Sequence, residues 1–153
     1  MRLKAGQIAS HLLRFAYEPN GASTSAVPIT GLDVGESRIF TGSMSTTTDL
    51  DVFKIVSVPS GATITVDVDA KTLSPASTLD SYARIFNSAG TVLAVNDDSG
   101  ATTDSLVSVA AAATGDHYVG ISAYKNQTYA VLDGSGLTTA TTTGPYKVTI
   151  SLS

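Results

Sequence analysis

The sequence predicts an all-β protein, an antiparallel jelly-roll-like β-sandwich of about eight strands. Three observations carry that expectation. Short alternating runs of apolar and polar residues recur roughly every ten residues, each bounded by Gly, Pro, Asn or Asp. Ser and Thr make up about a quarter of the chain and Val and Ile crowd the runs, a bias that suits strands and turns. Beyond the first seventeen residues no stretch has helical spacing, and no strand–helix–strand pattern is present.

Taken in order, residues 1–26 read as an N-terminal segment or linker and 27–153 as the sandwich. Leu3, Ile8, Leu12 and Phe15 permit one short amphipathic helix over Leu3 to Tyr17, which Gly6 weakens; a linker remnant is the alternative. Asn20 to Ser25 has the composition of a loop. Ser37 to Gly42 is the first strand candidate, and Asp51 to Val58 follows with Phe53 and Ile55 on one face. Pro59-Ser60-Gly61 turns the chain into Ala62 to Asp69, where Ile64, Val66 and Val68 alternate with Thr63, Thr65, Asp67 and Asp69. That alternation describes a strand with one wet face. Tyr82 to Phe86 and Thr91 to Val95 form a hairpin across Asn87 to Gly90, with Gly where a positive φ is needed. Leu106 to Ala111, Gly115 to Tyr124 and the alternating Tyr146, Val148, Ile150 and Leu152 complete the set. The Thr- and Gly-rich stretch from Lys125 to Gly144 interrupts the spacing, and loops of that length are usually functional or mobile.

Composition excludes several functions. The 153 residues suit one domain with a core of its own. Nine Lys and Arg stand against 13 Asp and Glu, and the basic residues are scattered, so a nucleic-acid partner is not expected. Cysteine is absent, which removes disulfides, thiolate metal sites and a cysteine nucleophile. No run reaches the roughly 18 apolar residues of a membrane span. Gln7, Ser10, His11 and Arg14 break the apolar positions near the start, so no continuous signal-peptide core forms there; an exported chain of this kind is expected to be a module of a longer precursor.

The chemistry concentrates in the loops around the hairpin. Asp80, Asp97, Asp98 and Asp104 bring four carboxylates into three short connections, with Asn96 and Ser105 as neutral oxygen donors. Such carboxylates repel one another unless a cation or solvent screens them, and hard oxygen ligands select Ca²⁺. The expected site is one Ca²⁺ held by Asp98 and Asp104, with Asp80, Asp97, Asn96 and Ser105 around it. The plainer alternative is that these residues only cap and bend turns. An EF-hand is excluded, because Gly100 sits one place early and Val107 occupies the position of the bidentate Glu. Asp49 and Asp51 read as turn chemistry at the start of a strand, with a second ion as the alternative.

Catalysis is not expected. His11 and His117 are the only histidines, and Asp116 beside His117 on a strand points to the opposite face. No Gly-x-Ser-x-Gly elbow occurs. A ligand surface could instead use tyrosines of the 124–146 region, Tyr124 and Tyr129 first, stacking on a polysaccharide or a matrix protein; core tyrosines are the alternative. Asn126-Gln127-Thr128 fits a glycosylation sequon and reads as a turn.

The order of these pieces resembles the bacterial pre-peptidase C-terminal domain family. The resemblance runs through Asp49-Leu50-Asp51-Val52-Phe53, Gly61 to Val68, Leu79-Asp80, Gly90, Asn96-Asp97-Asp98, Asp104-Ser105, Gly115 to Val119 and Gly144-Pro145-Tyr146. It covers roughly Leu32 to Leu152, and the Lys125 to Thr143 insertion is longer than the family pattern. It implies a sandwich of secreted or cell-surface bacterial proteins, appended to peptidases and other hydrolases. Related collagen-binding modules of clostridial collagenases bind Ca²⁺ through an acidic linker cluster, where this chain has only Glu18 and Glu36. The implied role is a non-catalytic Ca²⁺-binding accessory module whose partner is its parent multidomain protein.

Overall fold

The computed structural model describes residues 13–153. Ten strands form two five-stranded sheets packed face to face, and no helix occurs among the described residues. The strands are β1 (Leu13–Phe15), β2 (Val27–Ile29), β3 (Ser37–Met44), β4 (Leu50–Val58), β5 (Thr63–Asp69), β6 (Ser81–Asn87), β7 (Val92–Asn96), β8 (Leu106–Ala110), β9 (Gly115–Ala123) and β10 (Gly144–Leu152). One sheet runs β1-β3-β10-β5-β8 and the other β2-β4-β9-β6-β7.

The eight expected strands are β3 to β10. Two corrections concern the edges. The sheets are mixed rather than antiparallel, because β1 lies parallel to β3 and β2 parallel to β4. Most of the candidate helix lies outside the described residues, and Leu13–Phe15 at its end is strand. Residues 13–29 contribute both short strands and the fully buried Asn20, whose carbonyl accepts Val52 N–H at 3.0 Å.

Alternation fixes which side chains face inward. Ile64, Val66 and Val68 of β5 and Tyr146, Val148, Ile150 and Leu152 of β10 point between the sheets, against Phe53, Ile55, Ala83, Ile85, Val119 and Ile121 of the other layer. Phe40 and Phe53 meet there with ring centroids 5.0 Å apart and tilted by 55°, a favoured aromatic geometry. The wet face of β5 behaves as its pattern predicts, with Asp69 ion-paired to Lys147 at 2.7 Å. The β6–β7 hairpin turns at Gly90 (φ 78°), and Asn87 Oδ1 accepts the amides of Ala89 and Thr91.

A second, smaller core covers the outer face of the β4–β9–β6 layer. Leu50, Val52, Phe86 and Tyr118 project outward and are roofed by Tyr129 and Val131 from the long β9–β10 connection. This flap, residues 124–143, folds on itself through Ala130 N–H to Ser135 O (2.7 Å) and Thr128 Oγ1 to Gly136 O (2.8 Å). Arg84 of β6 is buried between the Phe86 and Tyr129 rings, 4.7 and 4.5 Å from their centroids, and donates to Tyr129 O at 2.8 Å. The insertion is therefore a fitted cover. Over its first four residues, Leu50 to Phe53, β4 is buried on both faces as a result.

Tyr129 is thus a core residue and offers no surface to a ligand, while Tyr124 is half-buried. Tyr129→Ala is expected to cost about 3–5 kcal/mol in denaturant unfolding, as for other buried aromatics. Tyr124→Ala is expected to cost clearly less, and equal losses would show that the flap is not packed as described.

Candidate metal centre

Asp51 is the one charged residue in the dry stretch of β4. Strand parity turns it inward with Phe53, toward the end of the sandwich where β3 runs into β4 and β10 begins. There it meets Tyr146, whose buried hydroxyl donates to Asp51 Oδ2. Gly42, paired with Tyr146 across β3 and β10, makes room for the contact: a Cβ at Gly42 would lie 2.5 Å from the Tyr146 hydroxyl and 2.8 Å from Asp51 Oδ2. Asp51 Oδ1 is buried with no hydrogen-bond partner. A buried, unpartnered carboxylate oxygen is costly and calls for a proton or a cation.

Two further carboxylates face the same point. Glu18 and Asp49 each place a carboxylate oxygen so that the ligand atoms of Glu18, Asp49 and Asp51 lie within 4.8 Å of one another, the only such acidic triad among the described residues. Asp49 is held by its own turn: Oδ2 accepts Ser45 N–H (2.6 Å) and Ser45 Oγ–H (2.8 Å), and Oδ1 accepts Leu50 N–H (2.9 Å). Each carboxylate oxygen carries two lone pairs, so these bonds leave capacity for an ion. Burial above all, then a hydrogen bond shared with the Glu18 carboxyl and the charges of Glu18 and Asp49, push the Asp51 carboxyl up to about 8 against the downward pull of the Tyr146 hydroxyl. Burial and the neighbouring Asp51 likewise drive the Tyr146 phenol well above its ordinary range. Without a cation, Asp51 is therefore protonated at neutral pH.

The six residues singled out in the sequence are arranged differently. Asp104 is buried and its carboxylate is engaged by the backbone: Ala70 N (3.0 Å) and Lys71 N (2.7 Å) on Oδ1 and Thr72 N (3.2 Å) on Oδ2, with the Thr72 hydroxyl 2.9 Å from both Asp104 Oδ2 and Asp69 Oδ1. It staples the β5–β6 connection. Ser105 Oγ bonds to Ser81 Oγ (2.9 Å) and the Asp97 carbonyl (3.0 Å), and Asn96 Oδ1 accepts Leu106 N–H (3.0 Å). Asp97 Oδ1 accepts the amide of Asp98, which is exposed. Asp80, Asp97 and Asp98 do share one neighbourhood: burial first, then Asp98 and Asp97, raise the Asp80 carboxyl above its ordinary value. Their oxygens do not converge as those of the Glu18, Asp49 and Asp51 triad do. Asp49 and Asp51, read as turn residues, carry the converging site, and Glu18 completes it from a segment read as linker.

His117 and Asp116 make no catalytic pair. His117 Nδ1 lies 3.1 Å from Gly115 O, while Asp116 binds Lys54 Nζ (2.9 Å) and Ser57 N (3.0 Å).

The sequence profile of the bacterial pre-peptidase C-terminal domain matches residues 49–123, from Asp49 at the head of β4 to Ala123 at the end of β9. The chain carries a pre-peptidase C-terminal domain. Such domains are non-catalytic accessory modules and belong to secreted bacterial proteins. The fold is also that of solved structures. It is similar to PliG of Aeromonas hydrophila, a periplasmic inhibitor of g-type lysozyme, at 15% identity and a TM-score of 0.56 over 93% of this chain and 100% of that one. It is similar to the pre-peptidase C-terminal domain of a collagenase from Bacillus anthracis at 17% identity and a TM-score of 0.52, over 84% of this chain and 94% of that one. No curated protein matches the chain. Within this pre-peptidase C-terminal domain, Glu18, the flap and β10 all lie outside the matched span.

Asp104→Ala is expected to destabilise the domain by about 2–3 kcal/mol, since it orphans donors bonded to a charge. The loss should be the same in Ca²⁺ and in chelator. A loss confined to Ca²⁺-containing buffer would return Asp104 to the ligand set.

Proposed function

We propose that this chain is a Ca²⁺-stabilised accessory module of a secreted bacterial protein, with the cation held by Glu18, Asp49 and Asp51. The observation that carries the reading is the buried Asp51 carboxylate, one oxygen unpartnered, with two more carboxylates converging on it. An all-oxygen, carboxylate-rich donor set suits a hard cation, and loops that can supply main-chain carbonyls and water favour Ca²⁺ over the strictly octahedral Mg²⁺. Bound there, the ion supplies the positive charge that three crowded carboxylates lack.

The residues around it do the rest. Tyr146 fixes one Asp51 oxygen and leaves the other free, and Ser45 orients Asp49. Glu18 brings in the segment between β1 and β2, so a shared ligand ties the N-terminal edge strands to the mouth of the sandwich. The role is mechanical: a rigid module that stabilises or positions its parent, whose other domains are its partners. A polysaccharide- or matrix-binding role through the 124–146 tyrosines has less support, because Tyr129 and Tyr146 are buried.

Protonation provides the test. In the cation-free protein the Asp51 carboxyl is raised from 3.8 to about 8, so the folded state holds this proton more tightly than the unfolded chain does. That contribution to stability is complete below pH 3.8 and is lost as pH rises toward 8. In chelator the melting temperature should therefore fall between pH 5 and pH 8. In millimolar Ca²⁺, where Asp51 is ionised and coordinated, the fall should disappear. At a hundredfold excess over its dissociation constant the ion adds about 2.7 kcal/mol. Calorimetry should show proton release on binding and an affinity that strengthens up to about pH 8. Asp51→Asn should keep the fold, flatten the pH dependence and abolish binding. Identical melting curves in Ca²⁺ and chelator at pH 8, with no heat of binding, would overturn the proposal.

A further inference from the structure

We infer that the 124–143 flap and the acidic triad are coupled: the flap positions two of the three ligand-bearing segments, and a cation in the triad in turn holds the flap down. The inference rests on the metal reading above and concerns a different element of the chain. Asn126, which reads as a turn residue in a sequon, is fully buried. Its Nδ2 donates to the main-chain oxygen of Asp49 at 3.1 Å, and its Oδ1 accepts Thr138 N–H at 2.9 Å. Its own carbonyl accepts Ser122 Oγ–H at 2.7 Å. One side chain thereby clamps both arms of the flap to the residue that supplies a ligand carboxylate. Ala140 N–H adds a bond to Thr47 O at 2.8 Å, inside the turn in which Ser45 holds Asp49.

The other arm of the triad is tethered independently. Ser23 N–H donates to Val131 O at 2.9 Å and Ser23 Oγ to Leu132 O at 2.8 Å. The backbones touch nearby, since a Cβ at Gly134 would lie 2.6 Å from Gly21 O. Gly21 and Ser23 belong to the short segment that carries Glu18. At its far side the flap is latched by Arg84, which donates to Tyr129 O and touches none of the three ligands.

Three carboxylates held close together repel, and their separation is set by whatever holds their backbones. Groups that orient ligands without touching the metal commonly change affinity by 10–100-fold. Coupling of this kind is reciprocal in equilibrium terms. Asn126 is accordingly a positioning residue for the site, and Arg84 acts on it through the flap.

The test uses the full chain, with Ca²⁺ alone as the probe. Calorimetric titration of Asn126→Ala should raise the Ca²⁺ dissociation constant about tenfold or more relative to the unmodified protein. Arg84→Met keeps an apolar stem between the two rings and loses the bond to Tyr129 O; it should weaken binding about fivefold. Hydrogen exchange of the unmodified chain should slow across 126–140 on adding Ca²⁺, whereas amides of the edge strand β8 that open locally, away from the flap and the triad, should not slow. That readout holds even where a variant fails to fold. Equal affinities in all three proteins with unchanged exchange over 126–140 would overturn the coupling and leave the metal site standing. Absence of Ca²⁺ binding by the unmodified chain would overturn both.

Discussion

A carboxylate at the end of a dry strand is the constraint around which this molecule is arranged. From Leu50 to Phe53, β4 is covered on one face by the opposite sheet and on the other by the flap, so Asp51 is fully buried. Burying a charge without a partner costs far more than a single hydrogen bond returns. Tyr146 satisfies one oxygen, Gly42 gives it space, and the second oxygen is left for a proton or a cation. Glu18 and Asp49, placed where they worsen the repulsion, make sense as co-ligands rather than as stabilisers of the cation-free state.

Covering β4 twice also explains the size of the β9–β10 connection. A two-layer sandwich normally leaves the outer face of each sheet to solvent, which is why its strands alternate. Here Leu50, Val52, Phe86 and Tyr118 break that rule on one sheet, and Tyr129 and Val131 are the residues that cover them. The buried guanidinium of Arg84 between two rings replaces an ion pair with aromatic faces and a carbonyl, an arrangement that suits a cation held at a packed seam. Thr- and Gly-rich composition made this stretch look like loop because its fold is built from turns and side-chain bonds, with no strand in it.

The legible part of the sequence was the part with a period. All eight strands with clear alternation or apolar runs are present, and the order of short motifs points to the family that the profile match shows. β1 and β2 have three residues each, too few for a period of two to register, so parallel pairing at the edges was not readable. The acidic residues are hard to rank from sequence for a related reason. Counting carboxylates along the chain favours Asp97, Asp98 and Asp104, yet Asp104 spends its lone pairs on the 70–72 amides, which no local pattern announces. The converging triad needs Glu18, far ahead in the chain, and an inward-facing Asp51. Parity with Phe53 in Asp51-Val52-Phe53 was the available signal, because it places an acid on the core side of a strand.

The position of the triad along the chain gives it more consequence than its few contacts suggest. β1 lies in one sheet and β2 in the other, so the segment between them crosses the open side of the sandwich. Each of these strands pairs over only three residues, and short edge strands are the first elements to open. The crossing is pinned by Ala16 N–H to Thr41 O, Val52 N–H to Asn20 O and Ser23 N–H to Val131 O, one anchor on each layer and one on the flap. Glu18 lies between the first two anchors, on the same crossing whose neighbour Asn20 is buried with both side-chain polar atoms unpartnered. A cation shared by Glu18, Asp49 and Asp51 would close that crossing onto β4 between its first two backbone anchors. Edge closure, rather than core packing, is the task that the proposed cation would perform there.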